Sequence, residues 1–172
     1  MKNTITPTRQ EHLLREHDFI VSKTDLHGRI TYCNEVFIEY SGYSEAELLG
    51  AQHNIIRHPD MPRGVFQVLW DTIKAGRECY AYVKNLTKDG GYYWVFANIT
   101  PDLDDQGQPA GYFSVRRKPR PEAVRAIEGI YSAMLEEERK AGSRDAVAAS
   151  TTWLIKTLMD REDTYERFVL SL

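Results

Sequence analysis

Cysteine is scarce in this chain: its 172 residues hold two, Cys33 and Cys79. They lie far apart, with no CxxC and no cysteine-histidine ligand spacing, so neither a disulfide framework nor a zinc site is expected and a reducing cytoplasm suits the composition. Long apolar runs are missing as well. No stretch approaches the ~20 apolar residues of a membrane-spanning helix, and the opening MKNTITPTRQEH lacks the apolar core of a secretion signal. A surplus of charge is also lacking. With 22 basic against 25 acidic residues the formal net charge is -3, which gives no whole-chain electrostatic reason to expect nucleic acid or an anionic membrane as partner. The motifs of common catalysis are absent too: there is no GxSxG, HExxH, P-loop or GxGxxG, and paired carboxylates such as Asp104-Asp105 fall in a turn where solvation accounts for them. An enzyme is not expected.

What is present suits one domain with an extension. Residues 1–17 are polar and weakly patterned, with a short helical turn expected over Glu11 to His17, and read as an N-terminal cap. Phe19 to Thr24 and Arg29 to Cys33 are β-rich runs around Asp25-Leu26-His27-Gly28, which has the chemistry of a hairpin turn. Helical spacing follows: Val36, Phe37, Tyr40 and Tyr43, with Asn34 as N-cap and Gly42 as stop, then a capping box at Ser44-Glu45-Ala46-Glu47. After a polar loop, Val65, Phe66, Leu69, Trp70 and Ile73 form an apolar stripe closed by Gly76. Three strands are expected next, Cys79 to Asn85, Tyr92 to Thr100 and Pro109 to Arg117, joined by turn-rich segments. Strands without intervening helices pair as an antiparallel meander, and the helical middle crosses over to cover one face. The expected class is α+β, a five-stranded antiparallel sheet with a helical flank over 18–118.

Pro119 and Pro121 mark a boundary before a charged, alanine-rich tail, 119–172, expected as two helices over about 122–141 and 144–171. Val124, Ile127, Tyr131 and Met134 stripe the first; Val147, Thr151, Leu154, Leu158, Tyr165, Phe168 and Leu172 stripe the second, with Arg161 as the break. Such a stripe needs a surface. Two readings stand: packing back on the sheet or on the first tail helix, or forming a homodimer or docking a partner helix.

The loop between the flank helices, Asn54-Ile55-Ile56-Arg57-His58-Pro59-Asp60-Met61-Pro62, concentrates a cation, an imidazole and a carboxylate between regular elements, where binding groups are commonly displayed. Together with Thr24-Asp25-Leu26, Ile30-Thr31-Tyr32-Cys33-Asn34, Ser41-Gly42-Tyr43, Glu47-Leu48-Leu49-Gly50, Val83-Lys84-Asn85 and Tyr93-Trp94-Val95, it resembles a PAS domain of the aerotaxis-receptor type, collinear over about 18–118.

The resemblance implies a PAS fold and a cytoplasmic sensory module that holds FAD in a cleft, reports redox state or oxygen, and passes the signal to a chemotaxis-type partner. Arg57 and His58 fall on family positions tied to flavin binding, and Asn34 and Asp60 on positions that support the same cleft. Trp70 would offer an aromatic wall. Asn85 carries both donor and acceptor, so its amide can turn to match a flavin edge that gains a proton. Ser22, His53 and Asn98 are further polar candidates beside the cleft. His58 has a second reading, locking the loop against Asp60. One position departs from the family: Cys79 stands where flavin-binding relatives carry tryptophan, and Tyr80, on the opposite side of an alternating strand, is poorly placed to replace it. A ligand-free interaction module, and a haem sensor using His53 or His58, remain as alternatives.

Overall fold

The computed structural model describes residues 5–172. β1 (Ile20–Thr24) and β2 (Ile30–Cys33) form the opening hairpin, and β3 (Cys79–Leu86), β4 (Tyr92–Leu103) and β5 (Pro109–Arg117) form the meander. They make one antiparallel sheet of order β2-β1-β5-β4-β3, so the last strand pairs with the first and closes the two halves. Between β2 and β3 run α1 (Glu35–Ser41), α2 (Glu45–Leu48), a 3-10 turn over His53–Ile56, and α3 (Arg63–Lys74). The fold class and the strand assignment from sequence hold, with β4 running on to Leu103.

Local chemistry accounts for the boundaries. The Asn34 side chain accepts from the amide of Phe37 to cap α1, accepts from Val21 N at 3.0 Å and donates to the Phe19 carbonyl at 2.8 Å, tying the helix to β1. Glu47 returns to the Ser44 amide at 2.9 Å, completing the capping box. The N-terminal segment departs from expectation. Over 11–17 there is no helix: Glu11 bridges to Tyr92, Thr8 N bonds Gly90 O and His12 N bonds Tyr92 O, both at 2.7 Å, and the chain makes only a plain turn with Asp18 N on Arg15 O at 3.2 Å. Those backbone partners satisfy the segment better than an isolated turn of helix would.

The tail packs back on its own domain, the first of its two readings. α4 (Pro121–Met159) is broken at Gly142, whose φ of 75° and ψ of 170° suit glycine alone. Its first rod lies on the outer face of the sheet: Tyr131 stacks on Trp94 at 6.3 Å between ring centroids and donates to the Tyr82 carbonyl at 2.7 Å. Its second rod lies on α3, where Gly64 meets Ser150 and Thr151. The single helix expected over 144–171 is instead divided. α4 stops at Met159, Glu162 takes a positive φ of 54°, and Thr164 caps α5 (Tyr165–Ser171) by accepting from Arg167 N. The turn lets α5 swing Tyr165 toward the start of β3.

The 57–62 loop is laid along β3, the sheet edge. The Arg57 backbone bridges to Asn85, Lys84 N points to Met61 Sδ at 3.3 Å, and Lys84 Nζ pairs with Asp60 at 2.7 Å. Buried His58 accepts from Asp60 N at Nδ1, 3.1 Å, and meets Tyr92 edge-on. Burial first, then the Lys84 ammonium, push its imidazole down to about 4, with Asp60 pulling the other way. The ring is therefore neutral when it locks the loop.

An exposed histidine titrates near 6.5, so as pH falls the unfolded chain takes this proton before the folded one. Stability is then full above about pH 6.5 and declines from there toward about pH 4. His58→Gln keeps an acceptor for Asp60 N but removes the titration. Urea unfolding at about pH 7.5 and about pH 4.5 should show the wild type losing more stability than the variant, by on the order of 2 kcal/mol; equal losses would contradict this account.

Candidate functional site

Strand alternation decides what the inner face presents. Asn85 pairs with Tyr93, Val83 with Val95, Ala97 with Arg116 and Ile99 with Ser114, so these side chains share the face turned toward α3. Small Ala97 and Val83 leave space there. The result is a cavity of about 220 Å³ between the sheet and the flank. Phe66, Leu69, Trp70 and Ile73 of α3 wall one side, while Gln52, Asn54 and Arg57, on and beside the 3-10 turn, form the rim. Gln52 and Asn54 are exposed, which puts the mouth at this rim. Trp70 stands edge-on to Tyr112 at 5.5 Å and 82°. A Cβ on Gly28 would come within 3.1 Å of the indole, so the first hairpin turn must be bare where Trp70 passes.

The closed end is polar and rich in donors. Arg116 is 3% exposed and has no ion-pair partner among the described residues. One of its terminal nitrogens donates to Ser22 Oγ, and the guanidinium lies 4.7 Å over the Phe37 ring. Its Nε and Nη1 are buried without hydrogen-bond partners among the described residues, and the Asn85 amide is set against the Tyr93 hydroxyl across the β3–β4 pair. Burial draws the guanidinium down to about 10, still charged at neutral pH. His53 sits 3.3 Å from Ser22 Oγ and stacks on Phe37; burial, then the Arg116 charge, push it down to about 3, so it is neutral.

Of the residues singled out from sequence, Arg57, Asn85, Trp70, His53 and Ser22 line this cavity. Arg57 lies over the Phe66 ring at 4.1 Å, and burial lowers its pKa. The other four lie elsewhere. Asn34 is occupied in capping α1, and His58 and Asp60 hold the loop to β3 from outside. Asn98 is on the outer face, because its neighbours Ala97 and Ile99 face inward, and it bonds Glu78 at 3.2 Å.

Sequence reasoning missed Arg116, Tyr112 and Ser114. Their signal lay in the alternation of Gly111-Tyr112-Phe113-Ser114-Val115-Arg116-Arg117: one set of alternate positions is polar, and here it is the polar set that faces in. Cys79 packs inward with Leu69, Ile73 and Tyr112. Burial pushes its thiol up to about 12, so it stays protonated. Tyr80 stacks on Phe96 outside, at 5.9 Å and 16°, and does not reach the cavity.

Comparison with known proteins follows the same frame. Residues 30–116 match the model of the PAS fold. The aerotaxis receptor of Escherichia coli (strain K12) is 40% identical over 127 residues, 74% of this chain and 25% of that protein. The nitrogen fixation regulatory protein of Klebsiella pneumoniae is 31% identical over 105 residues, 61% of this chain and 21% of that protein. The chain thus spans a quarter or less of the length of these two relatives. Among solved structures, a light-oxygen-voltage domain studied with a flavin analogue superposes with a TM-score of 0.54 at 21% identity, covering 72% of this chain and 87% of that one. The dark structure of the Aureochrome1 light-oxygen-voltage domain gives 0.54 at 23% identity, over 63% and 79%. The sheet order, the helical flank and these matches agree, and the chain belongs to the PAS family, with a sensory domain of the aerotaxis-receptor type.

Proposed function

We propose that this PAS domain binds FAD non-covalently in the cavity beside α3 and serves as a redox or oxygen sensor of an aerotaxis-type pathway, working in the cytoplasm with a chemotaxis-type signalling partner. The observation that carries the reading is the donor cluster at the closed end. Buried polar groups are almost always bonded, and a buried cation without an anion is costly. Arg116 Nε and Nη1 have no hydrogen-bond partner among the described residues, so together with the Asn85 amide in the same lining they favour a ligand with an acceptor-rich edge. The aromatic and aliphatic wall from Phe66, Leu69 and Trp70 favours that the ligand be flat and apolar in its body.

Size supports the same choice. The 220 Å³ cavity lies just under the ~300–1,000 Å³ usual for small-molecule sites, which suits a ring system seated inside and a polar tail leaving by the mouth. Arg57, at the rim, is the cation suited to a pyrophosphate there. FAD, when bound, supplies reversible electron uptake coupled to protonation of its ring edge. Asn85 answers such a change by turning its amide, exchanging donor for acceptor. β3 carries Asn85 inward and offers the Tyr82 carbonyl to Tyr131 of the tail on the other face, so a shift of this strand reaches α4.

The purified protein is expected to show the two-band absorption of an oxidised flavin, or to acquire it on titration with FAD. Titration without any spectral change or fluorescence quenching would remove the cofactor. Arg57→Ala should weaken FAD retention by about tenfold or more, the scale of a hydrogen bond to a charged group, measured by dialysis or fluorescence. Asn85→Ala should retain part of the binding but lose the difference in limited-proteolysis pattern between oxidised and reduced protein. A variant that keeps that difference would rule out Asn85 as the switch.

A further inference from the structure

The tail does more than cover the sheet, because its second rod is fastened to the helix that walls the cavity. Glu138, at the end of the first rod, accepts from the Gly64 amide at 3.1 Å and from Ser150 Oγ at 2.7 Å. One carboxylate oxygen therefore joins three pieces: the N-terminus of α3, the rod before Gly142 and the rod after it. A carboxylate is favoured at a helix N-terminus, where amides lack partners. The fit is close. Ser150 is fully buried, and a Cβ on Gly64 would fall inside contact distance of Ser150 Oγ and 2.9 Å from Thr151 N. Two residues on from Gly64, Phe66 faces the cavity and carries Arg57 over its ring. The same Glu138 charge opposes the lowering of the Arg57 pKa by burial. Tyr165 of α5 packs beside Cys79 at the start of β3, against the cluster to which Leu69 and Ile73 of α3 also belong.

We infer that the tail is a clamp on the cavity wall: Glu138 and Gly64 hold the two rods against α3, and releasing them loosens α3 and lets the bound ligand escape. The clamp rests on the proposed FAD site only for the identity of that ligand. Docking and occupancy are then linked, and the linkage is reciprocal: whatever factor the docked tail contributes to ligand affinity, the ligand contributes to tail docking. Gly142 is the hinge, since its backbone conformation lets the second rod fold back or swing away without strain in either rod.

The full chain serves for the test, with hydrogen exchange followed separately over α3 (63–74) and the second rod (143–159). Gly64→Ala is the sharper variant. Alanine is the better helix former, so an effect on α3 alone would slow its exchange, whereas expulsion of Ser150 and Thr151 should speed exchange in both segments, by about tenfold for an overpacked contact. Glu138→Ala should act the same way without altering any residue of α3. Glu138→Gln keeps an oxygen acceptor for Gly64 N and Ser150 Oγ and should restore most of the wild-type exchange. FAD should leave both disrupted variants about tenfold faster on dilution, and saturating FAD should slow exchange of 143–159 in the wild type. Exchange that rises in 143–159 while α3 and FAD release stay at wild-type rates would overturn the clamp, as would unchanged exchange in both Gly64→Ala and Glu138→Ala. A wild type that takes up no FAD would instead sink the cofactor assignment, with α3 exchange still deciding the clamp.

Discussion

The inner architecture of this domain depends on one buried guanidinium. β5 delivers Arg116 to the face of the sheet turned toward the flank, and no carboxylate follows it inward. Its charge is answered by a hydroxyl, Ser22, and by the π-face of Phe37, both weaker partners than an anion. Other features follow from that choice. His53, sharing Ser22 with Arg116, is held neutral in part by the neighbouring charge. The Tyr93 hydroxyl faces the same interior and is kept protonated by burial. A core built this way has not minimised its own energy, because apolar residues of equal volume would avoid the desolvation cost. Such a departure from local optimality is where function is to be sought.

The opposite face of the sheet is conventional by contrast. Tyr82, Trp94 and Phe96 form an aromatic layer, and the tail closes over it through Tyr131, Ile127 and Met134. The two faces are joined by alternation along single strands, since Asn85 and Val83 look inward while Lys84 and Tyr82 look out. Any movement at the inner face therefore has a mechanical route to the tail that passes through one peptide unit. Similarly, α3 has two working sides: Trp70 and Phe66 belong to the cavity, and Gly64 belongs to the tail.

How much of this was legible in the sequence differs by kind of signal. Turn chemistry, the capping box at Ser44 and the stripe from Val65 to Ile73 are local, so the element order could be read directly. The break at Gly142 was local too. The break after Met159 was marked only by Arg161, the one interruption of a stripe that resumes in phase at Tyr165, so it is the packing of α5 that shows the chain turns. For the site, Trp70 on α3 and Arg57 in the loop could be singled out from motif and position, while His58 and Asp60 of the same loop hold β3 from outside and Arg116 required knowing which alternate face of β5 looks inward. Hydrophobicity points the wrong way there: Phe113 and Val115 are the apolar set, yet Tyr112, Ser114 and Arg116 line the cavity. Asn98 failed for the same reason in reverse, a polar residue that strand alternation turns outward.

Cys79 sits where the sheet meets the last helix of the tail. The small side chain stands beside Leu69, Ile73 and Tyr112, and two rings pack against that group, Trp70 and, from the tail, Tyr165. Trp70 and Tyr112 meanwhile supply the aromatic edge on the cavity side. An indole at position 79 would add bulk where Tyr165 is seated, and a close-packed interior does not accept a large ring without displacing a neighbour. The small residue at 79 and the docking of α5 are therefore parts of one arrangement, in which a ring from the tail occupies space that a larger side chain on β3 would need.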